Sequence, residues 1–183
     1  MSILTNIELN KKIIFRGKAK GDEYKPSCQV EGELVVKKNA FFNFSMKALR
    51  DSKSSLESIE IQITTSSLVV KYDYTYFYSD GTKQNTHFEY IDDDPNSAVP
   101  ESWEDEYLSY ECYPDSSEDL CSKKREFLKR FQNNQLAVSE VKEMMRDLIY
   151  SFLSNDNVSN RVLDFVEMTD EITEVEVKDA TEE

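Results

Sequence analysis

Residues 68–91 read Leu68-Val69-Val70-Lys71-Tyr72-Asp73-Tyr74-Thr75-Tyr76-Phe77-Tyr78-Ser79-Asp80-Gly81-Thr82-Lys83-Gln84-Asn85-Thr86-His87-Phe88-Glu89-Tyr90-Ile91. Both arms are rich in β-branched and aromatic residues. Asp80-Gly81 between them suits a two-residue type I′ turn, whose central residues both take positive φ. With that loop, Tyr78 faces Lys83, Tyr76 faces Asn85, Tyr74 faces His87 and Tyr72 faces Glu89. The opposite side pairs Phe77 with Gln84, Thr75 with Thr86, Asp73 with Phe88 and Lys71 with Tyr90.

The chain before this hairpin has the same character. Ile59, Ile61 and Ile63 alternate with Glu60 and Gln62, the period of a half-buried strand. Further upstream, Lys12–Lys20, Ser27–Val36 and Ala40–Met46 carry β-prone runs separated by polar or turn-forming stretches. After the hairpin the period changes. Lys123–Gln135 sets Phe127, Leu128 and Phe131 on one helical face. Ser139 is placed to cap a helix in which Val141, Met144, Met145, Leu148 and Phe152 recur. A shorter helix is predicted over Arg161–Glu167. Near the end, Thr173, Val175 and Val177 alternate, as in an added edge strand or a frayed tail.

Strands followed by helices predict an α+β fold: an antiparallel meander of about six strands in the N-terminal half, with two or three α-helices from the C-terminal half packed on it. A partly closed barrel with helical extensions is the second choice. The domain reading is a single unit over residues 1–166, interrupted by an insertion at residues 92–120, then an acidic tail or edge strand at 167–183. A chain of 183 residues suits that size.

Charge is distributed unevenly. The formal total is −14, from 22 basic and 36 acidic residues. Residues 92–120 hold eleven acids and no Lys or Arg, and residues 167–183 hold eight acids and one Lys. The rest of the chain is slightly basic. At 11% aromatic residues, the protein has too much to bury for wholesale disorder. The charge balance argues against a protein that coats duplex nucleic acid, which depends on Lys and Arg to neutralise phosphates.

The acidic insertion also carries rings. Trp103, Tyr107 and Tyr110 fall at i, i+4 and i+7, so on a helix they share a stripe, with Glu104, Asp105 and Glu111 largely outside it. Rings supply desolvated anchors, and carboxylates steer and pair with Lys or Arg. The candidate partner-binding residues are therefore Asp92, Asp93, Asp94, Trp103, Glu104, Asp105, Glu106, Tyr107, Tyr110 and Glu111. A plainer reading packs the stripe on the sheet and leaves the acids to water, or to Lys123, Lys124, Arg125, Lys129 and Arg130, which follow at once. The length of the excursion favours a functional loop.

Catalytic signatures are sparse. The one histidine, His87, is placed to pair with Tyr74 and Glu89 in a polar ladder, and no P-loop, GxGxxG, HExxH or GxSxG occurs. A carboxylate–metal hydrolase needs clustered acids; Asp73 and Glu89 are the nearest pair, and Glu-x-Lys appears at Glu140-Val141-Lys142 and Glu176-Val177-Lys178 in helix and tail contexts. No cofactor or metal site is predicted. Cys28, Cys112 and Cys121 are odd in number and lack CxxC spacing, Met1–Lys12 lacks a signal-like apolar run, and no stretch suits a membrane span, so a cytoplasmic protein is expected.

Two functions follow as expectations. The first is a non-enzymatic binding protein, of immunity-protein or nucleic-acid-mimic type, that neutralises a basic partner such as a toxin or a nucleic-acid-processing enzyme. The second is a single-stranded nucleic-acid-binding protein that stacks bases on Tyr72, Tyr74, Tyr76 and Tyr78, with Lys11, Lys12, Arg16, Lys18, Lys20 and Lys25 tracking the backbone. A basic β body with an acidic tail resembles single-strand-binding proteins of phage type in organisation, although Ala180-Thr181-Glu182-Glu183 lacks the terminal aromatic often found there.

Overall fold

A computed structural model describes residues 10–19, 28–37, 41–50, 56–66, 69–91, 107, 118–153 and 171–180. Within them the chain forms β1 (Asn10–Ala19), β2 (Cys28–Lys37), β3 (Phe41–Arg50), β4 (Leu56–Ser66), β5 (Val69–Tyr78) and β6 (Lys83–Ile91). Helices α1 (Glu118–Gln132) and α2 (Val138–Leu153) follow, then β7 (Glu171–Asp179). The seven strands make one antiparallel sheet in the order β6-β5-β4-β3-β2-β1-β7. Among the described residues the sheet is open, with β6 and β7 at its edges. Glu171–Asp179 is thus a strand rather than a frayed tail, paired with β1. The helix expected over Arg161–Glu167 lies outside the described residues.

Alternation sorts each strand between two faces. Phe15, Leu34, Phe44, Met46, Ile59, Ile61, Ile63, Tyr72, Tyr74 and Tyr76 are buried on one face. They share a single core with Phe131, Val141, Met144, Met145, Leu148 and Ile149 from the helices. Gly32 sits inside this face because nothing larger fits: a Cβ there would lie 2.2 Å from the Ser45 carbonyl oxygen and 2.8 Å from the Phe15 ring. The Phe15 ring in turn stacks on Phe44, with centroids 6.1 Å apart.

The β5–β6 hairpin forms with a different turn. Gly81 takes φ 86°, whereas Asp80 stays at negative φ. The Gly81 amide donates to the Tyr78 carbonyl at 3.1 Å, and the Tyr78 amide donates to the Thr82 carbonyl at 2.9 Å. This is a type I turn ending in a glycine bulge, with Ser79-Asp80-Gly81 as the loop. The extra residue shifts the register by one, so Phe77 faces Lys83, Tyr76 faces Gln84, Tyr74 faces Thr86 and Tyr72 faces Phe88. The shift moves Phe88 inward, where it stacks on Tyr72 at 4.7 Å, and turns His87 and Glu89 outward. Asp80 secures the turn by accepting from the Thr82 amide at 2.9 Å.

Both helix boundaries differ from the sequence reading for local reasons. α1 starts at Glu118, ahead of the Lys123 start expected from the sequence. It ends at Gln132 because Asn134 adopts φ 58°: the Asn134 amide reaches the Phe131 carbonyl and the Gln135 amide reaches the Arg130 carbonyl, a Schellman ending. Ser139 is not the cap of α2. The Val141 amide donates to the Ala137 carbonyl, so the helix opens at Ala137, and Glu140 Oε1 accepts from the Ala137 amide at 3.0 Å.

Candidate partner-binding surface

Of the ten residues proposed from the sequence, Tyr107 is the one within the described region, and it lies in the core. It is 8% exposed. Its ring packs on Phe127 of α1 at 5.8 Å, tilted by 47°, and its hydroxyl donates to Asp147 Oδ2 of α2 at 2.5 Å. Tyr107 therefore offers no open ring to a partner. Its ring and hydroxyl thus contact both helices. Asp92, Asp93, Asp94, Trp103, Glu104, Asp105, Glu106, Tyr110 and Glu111 lie outside the described residues. The segment is bracketed by Ile91, which is 79% exposed at the end of β6, and by the first turn of α1.

The tyrosine row is also accounted for. Tyr72, Tyr74 and Tyr76 oppose Ile63, Ile61 and Ile59 within the core. Burial, helped by neighbouring Tyr76, pushes the Tyr74 hydroxyl well above its usual range for ionisation, so it stays a neutral phenol.

The opposite sheet face is polar and holds an open cleft of about 600 Å³, lined by Arg16, Glu31, Lys47, Glu60, Gln62 and Asp73 among others. Acids and bases interleave across it. Glu31 stands between Arg16 and Lys47 in the register. Lys47 Nζ lies 3.9 Å from Glu60, and Lys12 Nζ lies 3.3 Å from Glu33. Cross-strand pairing of this kind leaves little net field to attract a polyanion.

His87 belongs to this face, not to the tyrosine side. Nδ1 lies 3.3 Å from Asp73 and Nε2 lies 3.4 Å from Glu89. The carboxylates occupy opposite sides of the ring, so the three groups do not converge on one point. Among the described residues no group of three or more His, Cys, Asp or Glu is placed to hold a metal. Glu140 and Lys142 sit on α2, and Glu176 and Lys178 sit on an edge strand rather than in a tail. Among the described residues no helix is long and apolar enough to cross a membrane.

Two ionic contacts that fix the helical layer escape the sequence reading. Arg130 donates through Nη1 and Nη2 to both Glu140 oxygens, at 2.6 and 3.0 Å, closing the α1–α2 turn. The Arg130 hydrogen bond, with the Ala137 amide, holds the Glu140 carboxyl below its usual range. Lys11, 3% exposed, reaches Asp179 and donates to Asn134 Oδ1 at 2.8 Å. A signal for Lys11 was present: it shares the parity of Ile13 and Phe15, which marks it as an inward-pointing lysine.

In comparisons with protein families, curated proteins and solved structures, the chain matches none. Its functional reading therefore rests on its own residues.

Proposed function

We propose that this is a non-enzymatic binding protein that neutralises a basic protein partner, as an immunity protein or a nucleic-acid mimic does, through the acidic aromatic segment at residues 92–120. The carrying observation is the contrast in charge: eleven acids and no base in that segment, against a sheet face whose acids and bases offset one another. Carboxylates such as Glu104, Asp105 and Glu106 occupy the phosphate subsites of a basic cleft, and Trp103 and Tyr110 anchor the contact. Tyr107, held on Phe127 and Asp147, supplies the fixed point that lowers the entropy lost when the segment meets its partner. The partner is a toxin or a nucleic-acid-processing enzyme, and the odd, unspaced cysteines suit a reducing cytoplasm.

The single-strand reading draws no support from the tyrosines. Stacking needs open rings, and Tyr72, Tyr74 and Tyr76 are core residues.

Affinity capture from the native source, followed by stopped-flow titration of the captured protein, tests the proposal. A basic protein is expected, with association that slows as salt rises. The variant Glu104→Gln/Asp105→Asn/Glu106→Gln should slow association by about tenfold and flatten the salt dependence. Unchanged association by that variant, or capture of nucleic acid in place of a protein, overturns it.

A further inference from the structure

The two edges of the sheet are built differently. β7 carries Glu171, Glu174 and Glu176 and has an irregular register against β1 at Arg16/Gly17, two features that discourage pairing with another strand. β6 has a regular register, and its charged residues, Lys83 and Glu89, are of opposite sign. It runs nine residues without proline, pairs with β5 without a register shift, and exposes Lys83, Gln84, Asn85, Thr86, His87 and Glu89. Among the described residues no strand pairs with its outer edge.

Ladder alternation decides which groups face outward. The Tyr78–Thr82 bond starts the β5–β6 ladder, so the even-numbered residues of β6 exchange bonds with β5. The amides and carbonyls of Lys83, Asn85, His87 and Glu89 point away from the sheet. An added antiparallel strand must therefore bring odd-numbered residues opposite odd-numbered residues.

We propose that this edge pairs with the same edge of a second copy of the chain, antiparallel and centred on Thr86, joining two sheets into one. In that register Lys83 of each copy faces Glu89 of the other, Asn85 faces His87, and Gln84 faces Phe88. Thr86 meets its own copy on the two-fold axis. Opposite charges lie across from each other twice, no like charges meet, and Thr–Thr is a favoured cross-strand pair. Moving the centre to His87 sets the histidines against each other and Lys83 against Ile91, and loses both ion pairs. The arrangement is self-complementary and closes at two copies. It is independent of the acidic segment's role.

Sedimentation equilibrium of the full chain over a wide concentration range tests this. The mass should rise from 21.3 kDa towards twice that value. Lys83→Glu, and separately Glu89→Lys, should each weaken the dimer about tenfold, because each change acts twice across the axis. Lys83→Glu combined with Glu89→Lys should restore it. Glu89→Lys also places a lysine opposite Lys71, so circular dichroism and a urea midpoint accompany each variant. His87→Pro gives an independent block: its amide faces outward, so proline removes no β5–β6 bond while ending the pairing. A mass that stays at one chain throughout, a dimer that survives His87→Pro, or a failure of the double swap to restore association in folded protein each overturns the proposal.

Discussion

The buried ammonium of Lys11 pairs with the exposed carboxylate of Asp179, tying β1 to β7 from the core side of the sheet, and the same ammonium bonds Asn134 in the α1–α2 turn. One side chain thus joins the first strand, the last strand and the helical layer. Removing the partners is not symmetrical. Asp179→Asn strands a buried charge, whereas Lys11→Met removes it. The first change should therefore lower the melting temperature more than the second and speed hydrogen exchange at β7 amides before the rest of the sheet.

The same pair sets a pH dependence. Hydrogen bonding to Lys11, with its charge, holds the Asp179 carboxyl below its ordinary range. A depressed carboxyl contributes stability that is fully present above its unfolded pKa and is lost as pH falls through the folded one. Stability in urea should fall on acidification below about pH 4, the ordinary range of Asp. It should fall less steeply in Asp179→Asn than in the wild type. Equal acid slopes in the two proteins would show that the pair contributes nothing to the transition.

Gly32 predicts a steric effect. Its missing Cβ is the space used by the Ser45 carbonyl and the Phe15 ring. A backbone oxygen at 2.2 Å has no rotamer by which to move away. Gly32→Ala should destabilise by about 3 kcal/mol, the upper part of the range for overpacked cores. Gly81→Ala faces open space and instead strains a backbone at φ 86°. Urea unfolding of the two variants separates the mechanisms: Phe15→Leu, which shortens the opposing ring, should recover part of the loss at Gly32 and none at Gly81.

Much of the sheet was legible because alternation is a local signal. Ile59, Ile61 and Ile63, or Tyr72, Tyr74 and Tyr76, declare a shared face without reference to the rest of the chain. The hairpin register was not legible from its turn, since Asp80-Gly81 fits both a two-residue loop and a glycine bulge. Burial of Phe88 against Tyr72 distinguishes them, and that is a tertiary fact. Lys11 and Asp179 lie 168 residues apart, a pairing that no spacing rule reaches. In the acidic segment the i, i+4, i+7 stripe implies a common helical face. It does not say what Tyr107 packs on, which depends on Phe127 and Asp147 in later helices.

Arg130 and Glu140 fasten the helix pair. Glu140 satisfies the Ala137 amide and both Arg130 nitrogens, so it caps α2 and clamps α1 at once. Glu140→Ala should cost about 1 kcal/mol, the usual size of a lost cap, since the exposed part of the ion pair adds little. Arg130→Ala should cost less because the cap survives. High salt should narrow the gap between Arg130→Ala and the wild type and leave the cap contribution of Glu140 in place.

Tyr107 links stability to the proposed binding role, and its two contacts can be separated. Tyr107→Phe keeps the ring on Phe127 and removes the bond to Asp147, so it should cost about 1 kcal/mol. Tyr107→Ala removes both and should cost about 3 kcal/mol or more, as for other aromatic truncations in cores. If Tyr107 fixes the acidic segment for its partner, both variants should weaken binding beyond their effect on folding, chiefly through faster dissociation. Association should stay nearly unchanged, because the charges of Glu104, Asp105 and Glu106 are retained. That is the reverse of the Glu104→Gln/Asp105→Asn/Glu106→Gln pattern, in which association slows. Unaltered association and dissociation in folded Tyr107→Phe would assign Tyr107 to the core alone.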